Sequence, residues 1–250
     1  MQINSPNGND KNISSYHIHH YDTVSTTMDI ARQLSRDNCP NNTIVIAKKQ
    51  DKGRGRMQRQ WQSEHGGLYM TWIIRPQLNV QYCFAYVFSA ALSIVKTLKG
   101  LYNIDAQVKW PNDVLVQSHK IAGILTETQF ENDQFKYVNI GMGININNQP
   151  DTEVVHAISV RDINQKSVDM ELFRTILCNT LLDHFSNIHV HDILDAWKAN
   201  NCTIGNNVKI VMPDNTVEGK AIDINDDGSL MIRKEDRTIV PVIYGDCVLR

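Results

Sequence analysis

At 250 residues the chain has room for one large domain, or one domain with a small appendage. Hydrophobic residues make up 42% and charged residues 21%, enough for a real core and ordinary for a globular protein. The net charge of -2 gives no whole-chain footprint for nucleic acid or an anionic membrane, so a nucleic-acid role would need a local basic patch.

Met1–Ser15 is polar and rich in Asn, lacks the apolar core of a secretory signal, and reads as a disordered tail. Tyr16–Tyr21 reads as a first strand. Ser25-Thr26-Thr27 then precedes Met28, Ile30, Ala31 and Leu34, an N-cap signal followed by helical spacing. Ile44–Ala47 is a short β-branched strand. Lys48–Gly67 is basic, polar and glycine-bearing, the composition of a long functional or disordered loop. Leu68–Ile74 predicts a strand. Phe84, Val87, Phe88, Ala91, Leu92, Val95 and Leu98 recur at helical spacing, with Gly100 as a stop. The longest apolar run, Tyr82–Val95, is shorter than the roughly 20 residues of a membrane-crossing helix.

Short strands follow at Val108–Trp110, Val114–Val116, Ile121–Thr126 and Phe135–Ile140, with Pro111 marking a kink or an edge. Leu172, Phe173, Ile176, Leu177, Leu181 and Phe185 define a second long helix, and Ile193–Trp197 a third. After Thr203 the texture changes. Val208–Met212, Val217–Ile222, Leu230–Ile232 and Thr238–Val242 are short strands separated by turn signals, as in a small barrel. The expectation is an α+β fold: a mixed-sheet domain over 16–202 and a compact all-β domain over 203–250.

Four stretches carry chemistry. In the first, Lys52, Arg54, Arg56 and Arg59 crowd a loop with Gly53 and Gly55, closed by Trp61. Guanidinium groups suit carboxylate and phosphate oxygens, and the glycines allow close backbone approach. The loop lacks the P-loop spacing, so a solvated basic loop or an RNA-binding segment with Trp61 as stacking platform remains open. In the second, Gly66-Gly67 leads straight into Leu68-Tyr69-Met70-Thr71, which suits a flat ligand or an ordinary turn. In the third, Lys109-Trp110-Pro111-Asn112-Asp113 sets a cation, an aromatic, an amide and a carboxylate in five residues, and Lys120-Ile121-Ala122-Gly123-Ile124 opens an apolar strand. Asp113 could be a turn carboxylate and Lys120 a solvated edge lysine. In the fourth, Ile140-Gly141-Met142-Gly143-Ile144-Asn145 alternates glycine with apolar residues, marking a bulge or a close neighbour.

The His17/His19/His20 and His189/His191 groups lack cysteine or carboxylate at zinc-like spacing, and no metal ligands are assigned. The five cysteines are scattered, which suits a reducing, cytoplasmic compartment.

The four stretches, in this order, resemble the biotin protein ligase family over about Thr23–Asn147, and more weakly on to Arg250. The resemblance implies a catalytic domain of the class II aminoacyl-tRNA synthetase/biotin ligase type, followed by a small SH3-like domain. It implies a biotin–[acetyl-CoA-carboxylase] ligase that makes biotinyl-5'-AMP from biotin and ATP with Mg²⁺. The biotinyl group would then pass to a lysine of a biotin carboxyl carrier protein of acetyl-CoA or propionyl-CoA carboxylase.

By the same resemblance Ser25, Thr26, Thr27, Gln50, Arg54, Gly55, Arg56 and Lys120 would hold biotin. Arg54, Arg56, Trp61, Lys109, Asn112, Lys120 and Asn145 would hold ATP and the adenylate, with Lys120 and Arg56 as catalytic groups. Two positions depart from the family pattern: Thr27 stands for Asn, and Gln58 stands where Gly is frequent. The short polar segment before the first strand is expected to leave no room for a DNA-binding module. A homodimer is compatible with the sequence. The rival within the same fold is a lipoate or octanoate ligase.

Overall fold

The structure is a computed structural model that describes residues 15–76, 78–131, 134–150 and 156–250. Apart from Ser15, the expected tail lies outside the described residues.

β1 (His17–Val24) and β2 (Thr43–Gln50) pair in parallel. Parallel neighbours need a crossover, and α1 (Thr27–Arg36) supplies it. Thr26 caps that helix, its hydroxyl accepting the Met28 N–H at 3.3 Å. β3 (Leu68–Ile74) then pairs antiparallel with β2. After α2 (Phe84–Tyr102) come β4 (Gln107–Lys109), β5 (Asp113–Val116), β6 (His119–Glu131) and β7 (Gln134–Ile144). These complete a seven-stranded mixed sheet in the order β1-β2-β3-β7-β6-β5-β4.

α3 (Val160–Asn164), α4 (Met170–Ser186) and α5 (Val190–Ala199) follow. α2 is buried beneath α4 and α5, where Phe88 stacks on Trp197 at 4.7 Å between ring centres. Phe185 of α4 meets Trp72 of β3 edge-on at 5.6 Å, which ties the helical layer to the sheet. The last segment forms β8 (Asn207–Val211), β9 (Thr216–Ile224), β10 (Leu230–Arg233), β11 (Ile239–Val242) and β12 (Asp246–Leu249). They make an antiparallel sheet in the order β11-β10-β9-β8-β12. Its inward residues, Val208, Ile210, Ala221 and Ile232 among them, join the same apolar cluster as the large sheet.

Several expectations change. Gly100 does not stop α2; Asn103 does, in the left-handed conformation at φ 52°, with its N–H closing back on the last turn. With its preceding turn this segment, Val80–Tyr102, is long and apolar enough to cross a membrane, unlike the shorter run read from sequence. In the fold it is the buried core helix. β6 and β7 run well past their expected ends because they pair with each other along nearly their whole length. α3 and β12 were not anticipated. α3 has too few residues to show a period and is fixed by a Ser159–Asp162 capping box. β12 is a short strand in which Cys247 alone is fully buried.

The two sheets meet at a specific point. The Trp110 indole N–H donates to the Gly228 carbonyl at 3.1 Å, and the Trp110 backbone N–H donates to the Thr203 hydroxyl at 2.9 Å. Gly228 sits at φ +80°, and a Cβ there would lie 2.4 Å from Cγ of Phe84. Gly228→Ala should therefore destabilise the protein by about 2 kcal/mol, through the left-handed backbone and the clash. Urea denaturation checks this: the midpoint falls while the slope stays unchanged.

Candidate active site

One cavity of about 690 Å³ lies between the N-terminus of α1, the loop after β2, the β4–β5 turn, β6, β7 and β12. Its residues are best taken from the floor upward.

The floor is a buried polar chain. The Thr71 hydroxyl donates to the Thr27 hydroxyl at 2.8 Å. Gln50 Oε1 accepts from the Thr27 N–H at 2.8 Å and lies 3.2 Å from its hydroxyl. Gln50 Nε2 donates to Ser63 at 2.8 Å. The Gln50 amide is thereby held in one orientation at the cavity wall. Thr71 ends the Gly66–Thr71 stretch, but no site role was read for it; its signal is a polar residue inside an otherwise apolar strand.

The loop after β2 is folded back on itself. Gly55 N–H donates to the Arg59 carbonyl at 2.7 Å and Trp61 N–H to the Gly53 carbonyl at 2.9 Å. A Cβ on Gly53 would sit 2.3 Å from the Trp61 carbonyl, so glycine is required there. Met57 and Gln58 adopt φ of 51° and 60°, left-handed conformations that glycine takes at little cost.

Three arginines tie this loop down. Arg54 pairs with Asp29 of α1, which also receives Arg32 at 2.9 Å. Arg56 donates to Asn112 Oδ1 and to the Gly245 carbonyl, each at 3.2 Å. Arg59 pairs with Asp246. Burial lowers the Arg56 pKa from the usual guanidinium value, and the carboxylates of Asp246 and Asp113 oppose that shift.

The β4–β5 turn and β6 form the opposite wall. Asn112 Nδ2 donates to the Ile124 carbonyl at 2.6 Å, fixing its Oδ1 toward Arg56. Lys120 pairs with Asp113 at 2.6 Å, both side chains largely shielded. The Lys120 ammonium also lies 5.2 Å from the Trp61 ring centre. Trp61 lies against β6 and β7 where two glycines face it. A Cβ on Gly143 would come within 2.4 Å of the indole, and one on Gly123 within 3.0 Å. The Trp61 indole N–H is buried and has no hydrogen-bond partner among the described residues. A flat cradle with an unanswered donor suits a planar heterocycle carrying an acceptor.

Of the residues singled out from sequence, Thr26, Thr27, Gln50, Arg54, Gly55, Arg56, Trp61, Lys109, Asn112 and Lys120 line this cavity. Ser25 and Asn145 stand outside its wall. Ser25 is exposed, and its carbonyl accepts the Lys52 N–H at 2.8 Å. Asn145 is buried behind Lys120, its amide donating to the Lys120 carbonyl at 3.4 Å. Asp113 and Asp246 were missed as partners of Lys120 and Arg59. Asp113 was visible in its motif, whereas nothing in the sequence links Asp246 to a loop so far away. Cys247 also lines the cavity, and burial pushes its thiol up to about 11, so it is protonated and a poor nucleophile near neutral pH.

A wall of guanidinium and ammonium groups next to an oriented amide and an aromatic cradle defines a class of site. It takes a carboxylate, a phosphate chain and a planar base side by side, as an acid-activating, nucleotide-dependent ligase does. Comparison with known proteins makes this specific. Residues 21–145 match the biotin/lipoate A/B protein ligase family and residues 203–250 match the biotin protein ligase C-terminal domain. The bifunctional ligase/repressor BirA of Bacillus spizizenii is 32% identical over 90% of this chain and 71% of its own length. The biotin–[acetyl-CoA-carboxylase] ligase of Paracoccus denitrificans is 30% identical over 79% of this chain and 87% of its own. The structure of the Aquifex aeolicus biotin protein ligase in complex with biotin and ATP superposes with a TM-score of 0.78 at 25% identity, covering 93% of this chain and 98% of that one. The chain belongs to the biotin protein ligase family.

Because Gly143 leaves room for the Trp61 ring, Gly143→Ala should push that ring out of its cradle. The expected result is a rise in KM for ATP of about tenfold, with biotin affinity within twofold of the parent. Steady-state pyrophosphate exchange and biotin titration calorimetry measure the two effects separately.

Proposed function

We propose that the cavity performs both half-reactions of protein biotinylation. A biotin carboxylate oxygen attacks the α-phosphorus of ATP, and pyrophosphate leaves. The amine of a carrier lysine then attacks the acyl carbon, and AMP leaves as the amine loses its proton. The observation that carries this reading is the Trp61 ring over Gly123 and Gly143, with Lys120 beside it: a nucleobase cradle and a cation in one wall.

The oriented Gln50 amide and Thr27 form the end that takes the biotin head group. Lys120 and Arg56 lower the barrier by offsetting charge that builds on the α-phosphate oxygens. Asn112 keeps Arg56 aimed at that point. The loop from Gly53 to Trp61 shields the mixed anhydride from water. A thioester on Cys247 has no part, because its thiol is held protonated.

Mg²⁺ enters this reading as the ion that neutralises the phosphates of ATP. A phosphate-bound magnesium needs only one or two protein carboxylates, and Asp113 on the cavity wall beside Lys120 is the residue that fits. The acceptor is a biotin carboxyl carrier domain of a carboxylase. A cytoplasmic location belongs to the same reading, since five free thiols suit a reducing compartment.

Incubation with ATP, Mg²⁺, biotin and a carrier domain should add one biotinyl group by intact mass. Lipoate in place of biotin should leave the carrier mass unchanged; lipoylation would reassign the substrate. Lys120→Ala should lower biotin-dependent pyrophosphate exchange at least a hundredfold while the melting profile is kept. Arg56→Gly removes the bonds to Asn112 and Gly245, and adenylate should escape about tenfold faster. Free biotinyl-5'-AMP measured after rapid filtration reports that escape.

A further inference from the structure

Among the described residues, eight large hydrophobic side chains stand exposed. Singly, such residues are ordinary on a protein surface; a cluster is not. Four of the eight, Met57, Ile243, Tyr244 and Val248, belong to segments that border the active-site cavity. Val248 lines the active-site cavity. Met57 follows Arg56, and Ile243 and Tyr244 immediately precede Gly245, the two residues joined at 3.2 Å across the cavity rim. Ile243 is 71% exposed and Tyr244 49%.

The backbone that presents them is pinned. Gly245 sits at φ +131°, and a Cβ there would lie 2.5 Å from Cγ2 of Ile210. A rigid apolar patch loses little entropy on association, which suits a binding surface. The cavity lining carries more cations than carboxylates, although Asp29 and Glu218 stand behind Arg54 and Arg250. Arg54, Arg56, Arg59, Lys109, Lys120 and Arg250 line the cavity against Asp113 and Asp246 alone among carboxylates.

We propose that Ile243 and Tyr244, with Met57 and Val248, form the docking surface for the protein that delivers the acceptor lysine. The proposal rests on the ligase reading above. Lysine carries its amine on a stem of only four carbons, so a carrier whose amine reaches the acyl group must press its own surface against this rim. The rim therefore selects a small folded domain with an apolar patch beside the reactive lysine and carboxylates around it. Aromatic and aliphatic anchors supply the affinity, and the basic cavity edge steers the approach.

The test uses the full chain with Ile243→Ser and Tyr244→Ser combined, both positions being exposed and outside the reacting groups. The KM for the carrier domain should rise about tenfold or more with kcat within twofold. Biotin-dependent pyrophosphate exchange should stay at the parent rate, as should formation of biotinyl hydroxamate with hydroxylamine as a small acceptor. An unchanged carrier KM overturns the proposal. So does a parallel loss of pyrophosphate exchange, which would mark the residues as structural. Self-association in sedimentation that the variant abolishes, with carrier KM unchanged, assigns the patch to a second copy and also overturns it. If the parent protein itself shows no biotin-dependent pyrophosphate exchange, the ligase reading fails first, and that result is separate from the others.

Discussion

Arg56 reaches from the loop after β2 to the Asn112 side chain in the β4–β5 turn and to the Gly245 carbonyl before β12. Three segments far apart in sequence are thus joined by one largely buried guanidinium. A neutral side chain could make such a link, but only a fixed cation makes it and also faces the site of anion chemistry. Burial penalises the charge, and the carboxylates of Asp113 and Asp246 offset part of that penalty. Each of those carboxylates is itself held by a second cation, Lys120 or Arg59. The cavity wall is therefore a set of mutually dependent charges, and an incoming carboxylate or phosphate enters a field already arranged for it.

Much of this was legible in the sequence for a physical reason. β3 was read with its observed ends because it is apolar but for Thr71 and bounded by glycines and by Arg75-Pro76. The N-cap of α1 was legible because hydroxyl residues before a helical pattern have one main use. The glycines of β7 signalled close approach, and the Trp61 ring is what approaches. The misses share a cause as well. Gly100 looked like a terminus, yet a helix packed on a sheet and two further helices tolerates the roughly 1 kcal/mol that glycine costs. β12 carries no long apolar run, and its pairing with β8 is a tertiary fact. Asp246 became part of the site only through that pairing.

Thr27 shows how a departure from a family pattern can be absorbed. Its hydroxyl lies between Thr71 and Gln50, so it links α1 to β3 and sets the Gln50 amide. That work is internal to the protein, and a hydroxyl at 3% exposure is fully used by it. The first N–H groups of α1 are likewise taken, by Gln50 and by Thr26, so the ligand-facing polarity at this end of the cavity falls to the Gln50 side chain.

Gln58 raises a different question, one of balance. Two consecutive non-glycine residues in the left-handed region cost on the order of 2–4 kcal/mol together. The pairs of Arg54 with Asp29 and Arg59 with Asp246 have exposed arginines, and such pairs contribute about 0–1 kcal/mol each. The two bonds of Arg56 to neutral, half-buried partners add roughly 1–3 kcal/mol together. The Gly55–Arg59 and Trp61–Gly53 backbone bonds and the packing of the Trp61 ring on Gly123 and Gly143 stand on the same side as the arginine pairs, so the strain at Met57 and Gln58 is carried by contacts spread over the whole loop. In the ligase reading proposed above, a phosphate that meets Arg56 would add to the same side of that balance and hold the loop down by whatever it binds more tightly in this state.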